Sequence, residues 1–357
     1  KVTTPLFSAA NWGGQGLHPR GNFEGFVRAA SKQKWLEAHG IEHWTHFYTD
    51  YGREQQLRFF DYFLHGKKEG WAKQPKVLLQ VRHIDKFVAR AESEWPLKRT
   101  RWTKFYLDPS AMTLTTKKPS GTAQLKFAAM SDGLTFLTAP LAKETEITGP
   151  SALKLFASSS TSDADFFIVL RVFTGDLKEI VFQGAIDPHT PVGQGWLRAS
   201  HRKLDKKLSK PYRPYHTHDE KQPLKKGQVV ELDVEIWPTS IVIPAGYSVG
   251  LSIRGKDYEY GGTSGGKGAA VILLAVAIDP RGDPQPTRMI GVELHATLGQ
   301  GEASFPLPGE RQQHAHVGRA VAVHPVERDG PLRCVAKRLN LASEEQRFGQ
   351  RIVREMI

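Results

Sequence analysis

Gly262-Thr263-Ser264-Gly265-Gly266 satisfies G-x-S-x-G, the turn that presents a nucleophilic serine in many hydrolases. Such an elbow needs a buried strand before it, a helix after it, and an acid and a histidine further along the chain. Here it follows an alternating strand pattern and precedes AAVILLAVAI, so its context favours a flexible glycine-rich turn and Ser264 is not assigned as a nucleophile. His216-Thr217-His218-Asp219 places two imidazoles on one side of an extended segment, as a metal site would. It lies in proline-rich sequence with no third ligand nearby, so neither a metal nor a cofactor is assigned. His39, His43 and His46 crowd the segment LEAHGIEHWTHF, and imidazole is the side chain that most readily exchanges a proton near neutral pH. Trp95, Trp102, Trp196 and Trp237 have the bulk of groove-lining aromatics. A tryptophan that follows an alternating strand, as Trp237 does, more often packs a core or a domain junction.

The elements that must hold these residues are of two kinds. Thr4 to Ala10 reads as a short buried strand, NWGGQGLHPRG as a loop, and Asn22 to Ser31 as a helix with Asn22 as N-cap and Phe23, Phe26 and Val27 on one face. Lys34 to His39 reads as a second strand, GIEHWTHFYTDYG as a loop, and Arg53 to Leu64 as a helix with Leu57, Phe60 and Leu64 at helical spacing. This alternation is α/β architecture. From Pro75 the pattern turns to period-two strands separated by Gly, Pro, Asp and Ser turns. The strands expected are Val77 to Arg82, Thr103 to Leu107, Ala152 to Ser158, Asp165 to Thr174, Ile180 to Gly184, Val229 to Ile236 and Ser248 to Arg254. Many strands at irregular spacing predict a mostly antiparallel sandwich of jelly-roll type. The expected organisation is residues 1–74 α/β, 75–322 β-sandwich with its pattern fading beyond Tyr260, and 323–357 an extension. The extension ends in a charged helix over Leu341 to Ile357, and its composition fits a shifted reading frame as well as a divergent tail.

The chain has 357 residues and a formal charge of +12. The densest basic stretch, Arg198 to Lys226, carries prolines, acids and aromatics and no nucleic-acid motif, so a solvated basic loop is expected and no nucleic-acid partner. Cys334 is the sole cysteine, which excludes an internal disulfide and fits a reducing, cytoplasmic setting. The run Ala269 to Ile278 is half of the ~20 residues a membrane span needs, so no membrane partner is expected. The sequence opens on Lys1 without a secretory pattern, and the true amino terminus is expected to lie upstream. Two strands alone leave an open edge, which makes a homo-oligomer one of the expected states.

NWGGQGLHPRGNFEGF, KQKWLEAHGIEHW and RFFDYFLHG together resemble the end of the catalytic domain of the cocaine esterase/glutaryl-acylase (CocE/NonD) family, relatives of the X-Pro dipeptidyl-peptidases. ESEWPLKRTRWTKFYLDP is similar to that family's entry into its C-terminal domain. LTAPLAKETEITGPSALKLFASSSTSDADFFIVLRVF and VVELDVEIWPTSIVIPAGYSVGLSIRGKDYEY are similar to that domain's strands, and the resemblance runs over about residues 4 to 260. It implies an α/β plus all-β chain: the C-terminal fragment of an α/β-hydrolase fold followed by a jelly-roll β-sandwich, galactose-binding-like, of the X-Pro dipeptidyl-peptidase C-terminal type.

The activity implied is that of a serine hydrolase that cleaves small-molecule esters, amides or short peptides through an acyl-enzyme. This needs a serine, a histidine, a carboxylate that orients it, and an oxyanion hole. In such folds the order along the chain is Ser, acid, His, so the serine and oxyanion donors are expected upstream of Lys1. The resemblance puts the catalytic histidine at His39 or His43, with His46 a third choice. It puts the acid two residues beyond Trp12, where this chain has Gly14; Asp50 and Glu42 are alternatives without support from spacing. A non-catalytic jelly-roll module for binding or assembly is the other function class the sequence admits.

Overall fold

The computed structural model describes residues 1–40, 42–120, 123–185, 187–261 and the strand Glu293–Thr297. These belong to the first of two units into which the chain divides, Lys1–Gln300. Ser264, Cys334 and the expected terminal helix lie outside the described residues.

The amino-terminal part alternates strand and helix: β1 (Leu6–Asn11), α1 (Pro19–Arg28), β2 (Lys34–His39), α2 (His43–Tyr48) and α3 (Asp50–Leu64). β1 and β2 pair in parallel from Leu6 opposite Lys34 to Asn11 opposite His39. Helix α1 begins at Pro19, whose fixed φ suits a first turn, after His18. The expected N-cap Asn22 is instead inside the helix, where its amide donates to the Ala9 carbonyl at 3.1 Å and fastens α1 to β1. Phe23 and Phe26 form the buried face of α1, and Phe23 stacks on Trp12 at 5.5 Å. On the other side of the sheet, Phe7 and Trp35 meet Phe59 and Trp71. Helix α2 occupies what reads in sequence as a loop. None of its residues is buried, so it leaves no apolar period to detect. Thr49 caps α3 by accepting from Gly52 N at 3.1 Å, and a Cβ at Gly52 would stand 2.1 Å from the His46 carbonyl, so the α2–α3 joint requires glycine there.

The strands that follow build two sheets. β3 (Val77–Arg82) pairs in parallel with β2 and antiparallel with β4 (Phe87–Glu92), so the parallel run continues past Pro75. β3 also meets β12 (Val230–Ile243) through Arg82 and Ile241, joining the α/β strands to β9 (Thr145–Ser159), β14 (Glu293–Thr297) and β7 (Gln124–Ala128) in an eight-stranded sheet. The second sheet runs β11 (Gly193–Arg198), β10 (Asp165–Phe173), β13 (Ser248–Arg254), β8 (Leu134–Leu137), β6 (Thr113–Thr115) and β5 (Tyr106–Asp108). Leu155, Leu232 and Ile241 of the first sheet share one buried core with Phe136, Ile168 and Ile253 of the second. The alternation expected of VVELDVEIWP is present through Val234, with Leu232 and Val234 buried and Glu231 and Asp233 holding Lys154, and it breaks at Glu235, which is buried rather than on the wet face. Residues 180–184, expected as a strand, make one isolated bridge, Phe182 with Thr190.

Candidate functional site

The histidines after β2 separate in the fold. His39, the last residue of β2, is 2% exposed, and its ring stacks on His46 with centroids 3.8 Å apart. His43 opens α2 and turns toward the loop after β1, where its ring meets His18 edge-on at 4.4 Å. Burial, and next the adjacent His18 imidazole, push the His43 pKa down, which favours the neutral ring able to accept a proton. His46 Nε2 lies 3.2 Å from Glu37 Oε1, a carboxylate almost wholly buried. Tyr51 is also beside this carboxylate; burial, and then Glu37, push its phenol pKa well up.

Gly14 holds no acid, and a side chain there would have to displace the Asn11 amide. A Cβ built there would stand 2.5 Å from Asn11 Oδ1, so the loop passes directly over the Asn11 amide. Asn11 is 1% exposed, and both of its amide atoms are buried with no hydrogen-bond partner. The Gln15 amide and His43 Nδ1 are in the same condition. These polar groups cluster at the carboxyl ends of β1 and β2, and among the described residues no other protein group bonds to them. Of the substitute acids, Asp50 faces solvent and pairs with Arg53 at 3.1 Å, while Glu42 is buried immediately before His43. Sequence reasoning missed Glu37, His18 and Asn11. Glu37 had one signal: a charge two residues before His39 shares its face of the strand.

Opposite the loop stands the sandwich. Gly13, Gln15 and Leu17 line a cavity of about 200 Å³ together with Gln194, Trp196 and Tyr258. Arg82 fixes this junction from behind. It is fully buried, donates to the carbonyls of Val192 at 2.7 Å and Ser240 at 3.2 Å and to the Thr239 hydroxyl, and burial pushes its pKa down to about 9. The metal signal of His216 and His218 gains a neighbour, since His218 Nδ1 is 3.1 Å from His201 Nδ1. Among the described residues no group of three or more His, Cys, Asp or Glu is placed to hold a metal. Among them, too, no helix is long and apolar enough to cross a membrane. The four tryptophans divide: Trp95 is buried, Trp102 stacks on Tyr212 at the surface, and Trp196 and Trp237 meet at 5.0 Å on a cavity wall.

Residues 69–270, more than half of the chain, match the family model of the X-Pro dipeptidyl-peptidase C-terminal non-catalytic domain. Over 135 residues the chain is 33% identical to a putative serine esterase of Mycobacterium bovis, a stretch that covers 36% of this chain and 19% of that protein. The cocaine esterase of Rhodococcus sp. is 29% identical over 147 residues, covering 30% of this chain and 25% of the esterase. The crystal structure of a CocE/NonD family hydrolase from Staphylococcus aureus superposes with a TM-score of 0.69 at 31% identity, over 73% of this chain and 48% of that one. The chain thus spans about half the length of that solved relative and a quarter or less of the curated esterases. With the matched domain, the neighbouring fold and the parallel strands ahead of it in agreement, the chain belongs to the CocE/NonD hydrolase family and carries its X-Pro dipeptidyl-peptidase C-terminal non-catalytic domain.

Proposed function

We propose that this chain is the C-terminal portion of a serine hydrolase that cleaves ester or amide bonds, of acyl or X-Pro dipeptidyl type, through an acyl-enzyme. In this reading the two packed sheets are a jelly roll that walls one side of the site. The serine and the oxyanion donors come from hydrolase residues outside this sequence. His43 takes the proton from the serine hydroxyl as its oxygen attacks the substrate carbonyl, then gives it to the departing alcohol or amine. Water repeats the cycle on the acyl-enzyme. His39, stacked on His46, positions the segment that carries His43.

The observation that carries this reading is the orphaned set at the carboxyl ends of β1 and β2: the Asn11 amide, the Gln15 amide and His43 Nδ1, all buried and unpartnered. In α/β folds this end of the strands is where ligands bind. The test compares two proteins. This chain alone is expected to hydrolyse p-nitrophenyl acetate no faster than its His39→Ala, His43→Ala double variant. Joined to the hydrolase segment that precedes it in the full-length protein, it is expected to be active and to take a serine-directed fluorophosphonate on a serine outside this sequence. There, His43→Ala should lower kcat at least about 10³-fold. A label on Ser264, or full activity in the His43→Ala enzyme, would overturn the proposal.

A further inference from the structure

A second cavity, of about 540 Å³, opens where α1 meets the sandwich, and its wall is aromatic: Phe167, Trp196, Tyr215 and Trp237 line it, none of them fully buried. Its construction is specific. Phe167 and Trp196 are cross-strand neighbours on β10 and β11 and point away from the core that takes Ile168 and Leu197. The register of β12 breaks between Ile236 and Thr239, and this bulge carries Trp237 to the same wall. β11 approaches β12 so closely that a Cβ at Gly195 would lie 2.0 Å from the Glu235 carbonyl. The two indoles consequently meet at 5.0 Å and 72°, forming a corner.

The polar groups of this cavity come as neutral sets. Arg20 Nε pairs with Glu235 Oε2 at 2.7 Å, and Arg198 holds both oxygens of Asp165, at 2.7 and 2.8 Å. His201, His216 and His218 add ring nitrogens at the rim, and His216 Nε2 is buried without a partner. A phosphorylated ligand would need an unpaired cation and an ammonium ligand an unpaired carboxylate; both arginines and both acids here are already matched. What remains is an apolar corner framed by groups that both donate and accept. That chemistry suits an uncharged ring with an apolar face and several hydroxyls. We propose that this cavity is a binding site for a neutral saccharide, a pyranose ring stacking on the Trp196–Trp237 corner while its hydroxyls bridge the Arg20–Glu235 and Arg198–Asp165 pairs.

The experiment titrates the full chain with methyl glucosides, galactosides and mannosides and with maltose, cellobiose and lactose, read by saturation-transfer NMR and indole fluorescence. At least one of these sugars is expected to bind on the millimolar scale. Trp196→Ala and Trp237→Ala should each weaken it at least about tenfold. Trp102→Ala, whose ring stacks on Tyr212 at 3.9 Å outside the cavity, should leave it unchanged. Arg198→Gln, at an exposed position, tests the same site if a tryptophan variant fails to fold, and it too should weaken binding. Absence of binding by any member of the panel, or binding indifferent to Trp237→Ala and Arg198→Gln, would overturn the proposal. The readout is binding, so its failure is separate from any failure of the hydrolase reading.

Discussion

Arg82 concentrates at one residue the cost and the use of a buried charge. Its guanidinium has no carboxylate partner among its hydrogen bonds; it is held by the carbonyls of Val192 and Ser240 and by Thr239, with its centre 4.6 Å from the Phe182 ring and 5.8 Å from that of Trp12. Burial lowers its pKa to about 9, which still leaves it charged at neutral pH. Removing it would leave the buried Ser240 carbonyl and the Thr239 hydroxyl short of a donor, each worth roughly 1–3 kcal/mol, while the Val192 carbonyl keeps the Thr239 hydroxyl at 2.7 Å. Arg82→Ala is therefore expected to destabilise the chain by about 3–5 kcal/mol. Arg82→Met, which keeps volume but not donors, should be less damaging. Urea unfolding monitored by circular dichroism would measure both; equal stability of Arg82→Ala and the unaltered chain would contradict this account.

At the scale of elements, two short segments hold histidines in their neutral form. α2 presents His43 to His18, and the segment after the 3₁₀ turn Ala199–His201 places His216 against β12. For both, burial is the first cause of a lowered pKa and a neighbouring imidazole the second: His18 for His43, His218 for His216. Each ring binds protons less readily folded than unfolded, so below the unfolded value of about 6.5 the unfolded state takes up more protons and stability falls with pH. The contribution is neutral well above that value. Scanning calorimetry from about pH 7.5 to about 5.5 should show a smaller loss of Tm for the His43→Gln, His216→Gln double variant than for the unaltered chain. An identical loss in both would remove these two groups as its source.

Across the whole molecule, the α/β strands and the sandwich are joined by more than the covalent chain. β2 pairs with β3, Arg82 of β3 reaches β12, and ion pairs link Arg20 and Glu24 of α1 to Glu235 and Arg213. The link between α3 and β3 is exposed over residues 65–70, the natural place for a protease to cut. Limited proteolysis there is expected to yield two fragments that co-elute in native size-exclusion chromatography and separate only in denaturant. Dissociation of the nicked chain under native conditions would show that residues 1–64 are held by the linker alone. Among the described residues β1 is the outer strand of its sheet, and they leave its far edge unpaired. That edge is where the proposed hydrolase strands would pair.

Most elements were legible from local pattern. β2 and β13 lie within a residue of where alternation and apolar runs placed them, because a strand buried on one or both faces writes its period into the sequence. Exposed or locally capped pieces were not: α2 has no buried face, and Pro19 rather than Asn22 starts α1. For the site, the sequence by itself determined the family resemblance, the crowding of His39, His43 and His46, and the want of an acid at Gly14. Only the tertiary structure decided which histidine meets which partner. His18 and His43 are brought together by the turn of the loop after β1, and Glu37 meets His46 because α2 folds back over β2. The aromatic corner of Trp196 and Trp237 likewise depends on a bulge in one strand and a glycine in another. Period and composition report whether a residue faces a core. They carry no information on which distant segment supplies its neighbour, since that is settled by packing across the chain.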